Sequence, residues 1–311
     1  MKYTPRYIAT GCVTRLKQTV ARLDRRTRWT LGPLLVLLIF SVPLWSAASR
    51  LRAYVSGDTG PVVVPILVYH SVAPTHPGQN KEQRLLDVDT AMFRQQMYYL
   101  VANKYNVVPL SAVVDAIQGH GSVKPNSVAI TFDDGWLSQY QNALPILEQL
   151  HFTATFFIIT RQVGLGTAYM GLDQLKALQR AGMTIASHTQ THPDLSKLSV
   201  AQLRNEVVGS RQDLQRMLGV NTDLIAYPYG CWSNRVAAAV KAAGYRAARA
   251  LGGGISNTSA TEYSLHSVLA TDDMAAFVRD LHGSLIGARD AAMQVATRAT
   301  SKWFAVFERV P

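Results

Sequence analysis

The fold is decided by residues 127–135, which read Ser127-Val128-Ala129-Ile130-Thr131-Phe132-Asp133-Asp134-Gly135. The apolar run is typical of a buried strand, and the two carboxylates follow at the point where that strand should end. Side chains alternate between the faces of a strand, but both carboxylates can turn toward one cavity where the strand breaks into a loop. One carboxylate could then bind a cation while the other transfers protons. Taken alone, Asp-Asp-Gly is more often an ordinary acidic turn, so the rest of the chain must decide between these interpretations.

Outward from this stretch, segments with the pattern of buried strands alternate with segments of helical periodicity. Strands are predicted over residues 62–69, 106–108, 128–132, 154–160, 184–187, 224–227, 245–250 and 265–269, and helices over 87–104, 111–118, 138–150, 172–181, 199–218, 234–243 and 272–281. Strands joined by helices predict parallel βαβ units, and about seven such units favour a barrel over an open sheet. The sequence therefore predicts an α/β barrel that begins near Pro61.

The positive charge of the chain is concentrated in one short segment. Residues 1–28 contain eight Lys and Arg residues and one Asp, so they carry +7 of the formal +11 and leave +4 for the remainder. After residue 60 there is no Lys/Arg-rich run with interleaved aromatic residues, which argues against nucleic acid as a partner. The two cysteines, Cys12 and Cys231, lie in different parts of the chain and are not expected to pair.

Residues 29–48 form an uncharged, apolar segment of 20 residues, long enough as a helix to span a bilayer core of about 30 Å. The basic leader, residues 1–28, is expected to stay in the cytoplasm, so everything after residue 50 should cross the membrane. Ser46-Ala47-Ala48 resembles a cleavage site, but the long leader favours an uncleaved, single-pass anchor in the inner or plasma membrane. The predicted order is leader, anchor, linker (49–60), barrel (61–285) and tail (286–311), with the barrel periplasmic or extracellular, or secreted if cleavage occurs.

Four of the predicted strands end in residues that can carry chemistry. They are followed by His70, by Asp133-Asp134, by His188-Thr189-Gln190-Thr191-His192, and by Tyr227-Pro228-Tyr229-Gly230. In a parallel barrel the carboxyl ends of the strands form one rim, where catalytic residues gather. Two histidines four residues apart can face one point if the segment coils. Two His and one Asp that leave positions open for water and substrate are what a catalytic Zn²⁺ or a related ion requires.

Three of these motifs, Thr131 to Gly135, His188-Thr189-x-x-His192 and Tyr227-Pro228-Tyr229, resemble the successive motifs of polysaccharide deacetylases. These proteins form carbohydrate esterase family four, also known as the NodB homology domain. The resemblance runs from about Pro61 to Leu285, with the motifs in the family's order. It implies a distorted (β/α)7 barrel and metal-dependent hydrolysis of N-acetyl groups on a glycan.

The same resemblance implies a role for each motif residue. Asp133 would be the general base, while Asp134, His188 and His192 would bind a divalent metal. Zn²⁺ is the expected ion, with Co²⁺ and Ni²⁺ as alternatives. Tyr229 lies where the family offers a backbone N–H to the oxyanion.

The general acid has two candidates in this sequence. Ile66-Leu67-Val68-Tyr69-His70-Ser71 resembles the early Tyr-His motif of a permuted branch that includes deacetylases of poly-β-1,6-N-acetylglucosamine, which favours His70. Leu265-His266 resembles the late Leu-x-His motif of other members, so His266 is the alternative. A second departure supports the permuted branch, because Ala226 stands where the usual Arg-x-Pro-Tyr motif has arginine. The group that orients Asp133 is therefore not visible in the sequence.

Together these features predict a hydrolase of amide bonds that deacetylates an N-acetylglucosamine polymer, a biofilm-type exopolysaccharide, outside the cytoplasm. One alternative keeps the chemistry and changes the polymer to peptidoglycan or a chitin-like chain. Another, motivated by the missing arginine, is a catalytically silent glycan-binding module tethered at the membrane. An ordinary glycosidase also fits a barrel with acidic rim residues, but it gives no reason for the paired histidines.

Overall fold

The computed structural model describes residues 60–74 and 86–283 of the 311-residue chain. The predicted leader, anchor and tail, and all but the last residue of the predicted linker, lie outside the described residues. No helix within the described ranges is long and apolar enough to cross a membrane.

Strands and short helices alternate along the described residues as the sequence predicts. The strands are β1 (Val62–Val63), β2 (Ile66–Tyr69), β3 (Ser71–Val72), β4 (Asp87–Val88), β5 (Asn106–Val107), β6 (Ser127–Phe132), β7 (Thr155–Ile158), β8 (Thr184–Ser187), β9 (Leu224–Ala226), β10 (Ala247–Gly253), β11 (Ser256–Asn257) and β12 (Leu265–Leu269). The helices are α1 (Thr90–Ala102), α2 (Leu110–Ile117), α3 (Leu144–Gln149), α4 (Leu172–Arg180), α5 (Val200–Leu218), α6 (Asn234–Ala242) and α7 (Met274–Leu281). A π-helical turn, Gln139–Ala143, leads into α3.

Within the described residues, seven parallel strands close into a barrel in the order β2-β12-β10-β9-β8-β7-β6, with β6 pairing back to β2. The closing pair runs in register from Ile66 opposite Ala129 to Tyr69 opposite Phe132. Strand β5 extends the sheet beside the start of β6, outside the closed ring. The α/β barrel predicted from the strand and helix pattern is confirmed, and its strand number is that of a (β/α)7 fold.

The side chains of the barrel strands alternate between one inner apolar cluster and two outer ones. The inner cluster, with many small residues, packs against α2 and includes Ile66, Ala129, Phe157, Ala186, Ala226 and Ala247. The outer clusters pack against the outer helices; one includes Leu67, Ile130, Phe132, Phe156 and Ile185, and the other includes Ile225 and Ala248. Because a closed ring of seven strands is narrow, the inner set fits its interior and the outer sets lie between strands and helices. This period of two determines which residues face the inside of the barrel.

Among the element boundaries that differ from the sequence prediction, two have a clear local reason. The predicted strand 62–69 is divided into β1 and β2 at Val64-Pro65, because proline has no N–H to donate to a strand ladder. The predicted helix 87–104 begins only at Thr90. Asp89 caps it by accepting a hydrogen bond from the Ala91 N–H at 2.8 Å.

We expect Phe156→Ala to lower the free energy of unfolding by about 3–5 kcal/mol. Phe156 is fully buried, and its ring stacks on Phe132 with centroids 4.7 Å apart and planes 10° apart. Urea unfolding followed by circular dichroism measures the change. The half-exposed Val101→Ala is the control, and we expect it to shift stability by less than about 0.5 kcal/mol. Equal stability of the two variants would contradict the importance of this stack.

Candidate active site

Three strand ends bring predicted site residues together at one end of the barrel. His70 follows β2, Asp133 follows β6 and His188 follows β8. Counting back in steps of two, these residues share a face with Ile66, Ala129 and Ala186, the inner set of the barrel. The Nε2 atoms of His70 and of His188 each lie 3.9 Å from Asp133 Oδ2. Because side chains alternate along a strand, all three point toward the same region at the carboxyl end of the barrel, which we call the cleft.

Asp134, His188 and His192 form a triangle of potential metal ligands. The two Nε2 atoms of the histidines are 3.2 Å apart, and each lies 3.5 Å from Asp134 Oδ1. Tetrahedral ligands whose bonds to Zn²⁺ are about 2.0–2.1 Å long lie about 3.3 Å from one another. The three residues therefore fit one divalent ion and leave further coordination positions free of these side chains.

Hydrogen bonds behind two of these ligands fix which atom faces the centre of the triangle. His188 donates its Nδ1–H to the Ala226 carbonyl at 2.9 Å, which leaves the Nε2 lone pair for a metal. Trp136 donates its Nε1–H to Asp134 Oδ2 at 2.9 Å, and Oδ1 is the oxygen nearest the histidines. The Trp136 ring in turn stacks on Tyr169, with centroids 4.6 Å apart.

The protonation state of His192 also suits a ligand. Burial, with neighbouring His188 as the next cause, lowers the pKa of His192 to about 4. The imidazole is therefore neutral at pH 7, and only the neutral ring can coordinate a metal.

Left-handed backbone at the strand ends explains how neighbouring residues reach the same cleft. Asp134, Thr189, His192 and Tyr229 have φ values of 73°, 67°, 62° and 59°, a region that residues other than glycine seldom occupy. At Asp134 this conformation breaks the alternation of β6, so Asp133 and Asp134 both face the cleft although they are adjacent. Such clustering of uncommon conformations is typical of functional sites.

Arg249 is the functional residue that the sequence analysis missed. It lies on β10, two residues after the inward-facing Ala247, and forms a buried ion pair with Asp133 Oδ2. Its guanidinium also lies over the Phe157 ring at 5.3 Å. The signal was an arginine flanked by alanines, Ala248 and Ala250, inside the predicted strand 245–250. Arg249 therefore provides at Asp133 the cation that the Ala226 position lacks.

Two opposing effects determine the pKa of Asp133. Burial raises it, but the charges of Arg249, His188 and His70 outweigh burial and hold the pKa below its ordinary value. Asp133 is therefore a carboxylate at neutral pH. Its Oδ1 is buried and accepts no hydrogen bond within the described residues, so the carboxylate keeps an unused acceptor.

The two candidate acids lie in different surroundings. His70 lies beside Asp133, as given above, and its Nδ1 is buried. His266 donates its Nδ1–H to the Ser256 carbonyl at 2.8 Å, and its ring lies so close to Gly253 that a Cβ there would overlap it. The structure places His70, and not His266, next to Asp133. The role of His70 as general acid stays a prediction.

Gln139, on the π-helical turn, links the strand ends that carry the base and the candidate acid. Its side-chain amide donates to the His70 carbonyl at 2.9 Å and to the Asp133 carbonyl at 2.6 Å. The side chain is fully buried. It therefore fixes the spacing between β2 and β6 directly below the cleft.

Tyr229 lies at the edge of the metal-ligand triangle. It belongs to the 3₁₀ turn Pro228–Gly230 that follows β9, and its ring meets His192 edge to face with centroids 4.7 Å apart. The side chain is 67% exposed, and nearby Trp232 is 41% exposed, so neither ring is part of the core. The role of the Tyr229 N–H in binding an oxyanion stays a prediction.

Known proteins that are similar to this chain match it over the segment that contains these motifs. The family model described as polysaccharide deacetylase matches residues 120–248, which include Asp133 and the three candidate ligands. YxkH of Bacillus subtilis (strain 168) is 29% identical over 237 residues, which are 75% of this chain and 78% of that protein. Poly-beta-1,6-N-acetyl-D-glucosamine N-deacetylase of Staphylococcus aureus (strain MRSA252) is 27% identical over 208 residues, which are 62% of this chain and 71% of that protein.

Among solved structures, the Streptococcus pyogenes deacetylase PplD in complex with acetate matches with a TM-score of 0.66 and 27% identity. The match covers 71% of this chain and 99% of that chain. Motif residues, barrel and relatives thus agree, and residues 120–248 of this chain are identified as a polysaccharide deacetylase domain, of a family that consists of hydrolases that act on carbon–nitrogen (amide) bonds.

Proposed function

We propose that this protein is a metal-dependent deacetylase of an N-acetylglucosamine polymer, an exopolysaccharide, and that it acts outside the cytoplasm. The observation that carries the proposal is the placement of a three-ligand metal triangle beside a buried carboxylate, Asp133, and an imidazole, His70. Amide hydrolysis requires an activated water, stabilisation of an oxyanion and a proton for the departing amine. The cleft contains one candidate group for each requirement.

A divalent ion held by Asp134, His188 and His192 would polarise the acetyl carbonyl and make water a better nucleophile. Asp133 takes the proton of the attacking water on Oδ1, while its Oδ2 stays paired with Arg249. The Tyr229 N–H donates a hydrogen bond to the acetyl oxygen as negative charge develops there. His70 gives its proton to the sugar amine as the carbon–nitrogen bond breaks.

The polymer is inferred from two features of the chain. The candidate acid follows an early strand, as in the branch that includes deacetylases of poly-β-1,6-N-acetylglucosamine, and one relative bears that activity in its name. Removal of acetyl groups would leave free amines, which are cationic at neutral pH. A panel of N-acetylglucosamine oligomers with β-1,6 or β-1,4 linkages, together with peptidoglycan fragments, separates this substrate from the peptidoglycan and chitin-type alternatives.

Action outside the cytoplasm and attachment to a membrane are inferred from the basic leader and the apolar segment 29–48 alone. The silent glycan-binding module was motivated by the alanine at position 226. Because Arg249 pairs with Asp133, that motivation no longer favours a silent module over an enzyme.

The first prediction concerns the metal. The full-length protein, purified in detergent, is expected to release acetate from N-acetylglucosamine oligomers, to lose this activity on treatment with a chelator, and to regain it with Zn²⁺, Co²⁺ or Ni²⁺. Acetate is quantified enzymatically, and chelator followed by Mg²⁺ is the control, since Mg²⁺ prefers oxygen ligands. Acetate release that resists the chelator would exclude the proposed mechanism.

The second prediction separates the two candidate acids. We expect His70→Ala to lower kcat by about 10²- to 10⁴-fold, the usual contribution of a general acid. His266→Ala should leave kcat near that of the wild type, because His266 bonds to Ser256 and not to the cleft. Initial rates of acetate release with both variants test this directly, and a larger loss in the His266 variant would reverse the assignment.

The third prediction concerns Arg249. Replacement by Met removes the cation that opposes the effect of burial, so the pKa of Asp133 should rise. Because Asp133 works as a base only when ionised, activity should then be lost at a higher pH on acidification than in the wild type. Stability should also fall by about 3–5 kcal/mol, because one charge of a buried pair is left alone.

The measurement is the pH profile of kcat/KM for Arg249→Met, with Arg249→Lys retaining a positive charge and showing a smaller shift. Arg180→Met, at an exposed position at the end of α4, is the control. An unchanged acidic limb in a folded Arg249→Met protein would show that Arg249 does not set the ionisation of the base.

A further inference from the structure

One face of α5 is polar where a packed helix would ordinarily be apolar. Glu206, Gly209, Ser210 and Asp213 follow the spacing i, i+3, i+4, i+7, so they lie along a single stripe of the helix. Each of the four contacts the segment that runs from the end of β8 through His188 to His192. We call this stripe the polar face of α5.

Glu206 contributes three hydrogen bonds to that segment. Its Oε2 accepts from the main-chain N–H groups of Gln190 and Thr191, both at 2.9 Å, and its Oε1 accepts from the Thr191 hydroxyl at 2.6 Å. Bonds to an ionised carboxylate are about twice as strong as bonds between neutral groups. A single side chain therefore fixes both of the residues that precede His192.

Gly209 and Asp213, one and two helical turns further along α5, hold the same segment. Asp213 Oδ2 accepts from the Gln190 side-chain amide at 2.8 Å and from the Thr160 hydroxyl at 2.7 Å. A Cβ at Gly209 would lie only 2.5 Å from Gln190 Cδ, so the absence of a side chain there gives Gln190 its place. Both the main chain and the side chain of Gln190 are thus bound to α5.

Ser210 begins a series of hydrogen bonds that connects α5 to the candidate ligand His192. It accepts from the Ser187 hydroxyl at 2.8 Å, and Ser187 Oγ accepts from the Thr189 N–H at 3.2 Å. Thr189 Oγ1 then accepts from the His192 N–H at 3.0 Å. Ser210 of α5 is thus linked to the backbone of His192 through Ser187 and Thr189.

These bonds surround two residues in left-handed conformation, Thr189 with φ 67° and His192 with φ 62°. Side chains other than glycine keep this conformation only where the surrounding structure imposes it. The contacts of α5 are therefore among those that hold the segment in which the two Nε2 atoms lie 3.2 Å apart.

We propose that Glu206 is a positioning residue for metal binding, and that the polar face of α5 sets the geometry of His188 and His192 for a divalent cation. The inference rests on the proposed metal-dependent function, but it concerns affinity and coordination and not turnover. The hydrogen bonds of the Glu206 side chain go to Gln190 and Thr191, so its effect on the metal acts through these two residues.

The test compares Glu206→Gln with the wild type and with Glu148→Gln, which changes an exposed glutamate on α3 in the same way. Glutamine keeps the shape of the side chain but removes its charge, so the bonds that Gln190 and Thr191 donate to it become weaker bonds to a neutral acceptor. Zn²⁺ dissociation constants are measured for the full-length protein by competition with a chromophoric chelator. We expect a rise of about 10- to 100-fold for Glu206→Gln, as for other residues that orient metal ligands.

Two further readouts separate positioning from general stability. The visible absorption of the Co²⁺-loaded protein should change in position or intensity for Glu206→Gln and not for Glu148→Gln, since it reports ligand geometry. Thr191→Val removes only the hydroxyl bond to Glu206, and we expect a smaller loss of affinity in the same direction. This second variant decides the question if Glu206→Gln does not fold.

The outcomes distinguish this inference from the proposed function. If the wild type binds Zn²⁺ but releases no acetate, the proposed function is wrong, and the affinities still decide the role of Glu206. If the wild type is active and a folded Glu206→Gln protein keeps the wild-type affinity and Co²⁺ spectrum, the role of Glu206 is wrong while the function stands.

Discussion

The buried ion pair between Asp133 and Arg249 is the interaction on which the rest of the site depends. The two side chains are 5% and 2% exposed, and 116 residues of sequence separate them. Removing two charges from water is costly, and only their close contact and further hydrogen bonds offset that cost. The pair joins β6 to β10, which are not neighbours in the barrel, so it connects opposite parts of the wall across the interior. The barrel must therefore close correctly before Asp133 has its partner.

The pair also explains how two adjacent aspartates acquire different properties. Asp133 keeps the strand alternation, points to the inside and meets Arg249, which favours its ionised form. Asp134 adopts left-handed backbone, receives the Trp136 N–H on one oxygen and turns the other to the histidines. The sequence shows two identical side chains in a row. Their difference comes from backbone conformation, from the nearby Trp136 and from groups distant in sequence.

The predictable part of this structure is local or periodic, and the missed part is long-range. Alternation of apolar residues and helix signals predicts the barrel, and the ends of its strands predict the cleft residues, because both depend on periods that a sequence displays directly. Arg249 was missed because the sequence cannot show that Asp133, at the end of β6, meets β10 across the interior of the barrel. Glu206 was missed because a glutamate on a helix is ordinarily a solvated side chain, and only the tertiary fold brings the backbone of Gln190 and Thr191 to it.

The charges in the cleft give an independent argument for a cation. The local charge of the cleft is −1 when the histidines are neutral. It is the sum of two ionised carboxylates, Asp133 and Asp134, and one guanidinium, Arg249. Such a cleft attracts a cation and would repel the negative charge that amide hydrolysis places on the acetyl oxygen. A divalent ion changes the local charge from −1 to +1, which that developing charge then neutralises. Arg249 alone cannot do this, because Asp133 already compensates it; the arrangement of charges therefore supports the proposal that a cation binds between Asp134, His188 and His192.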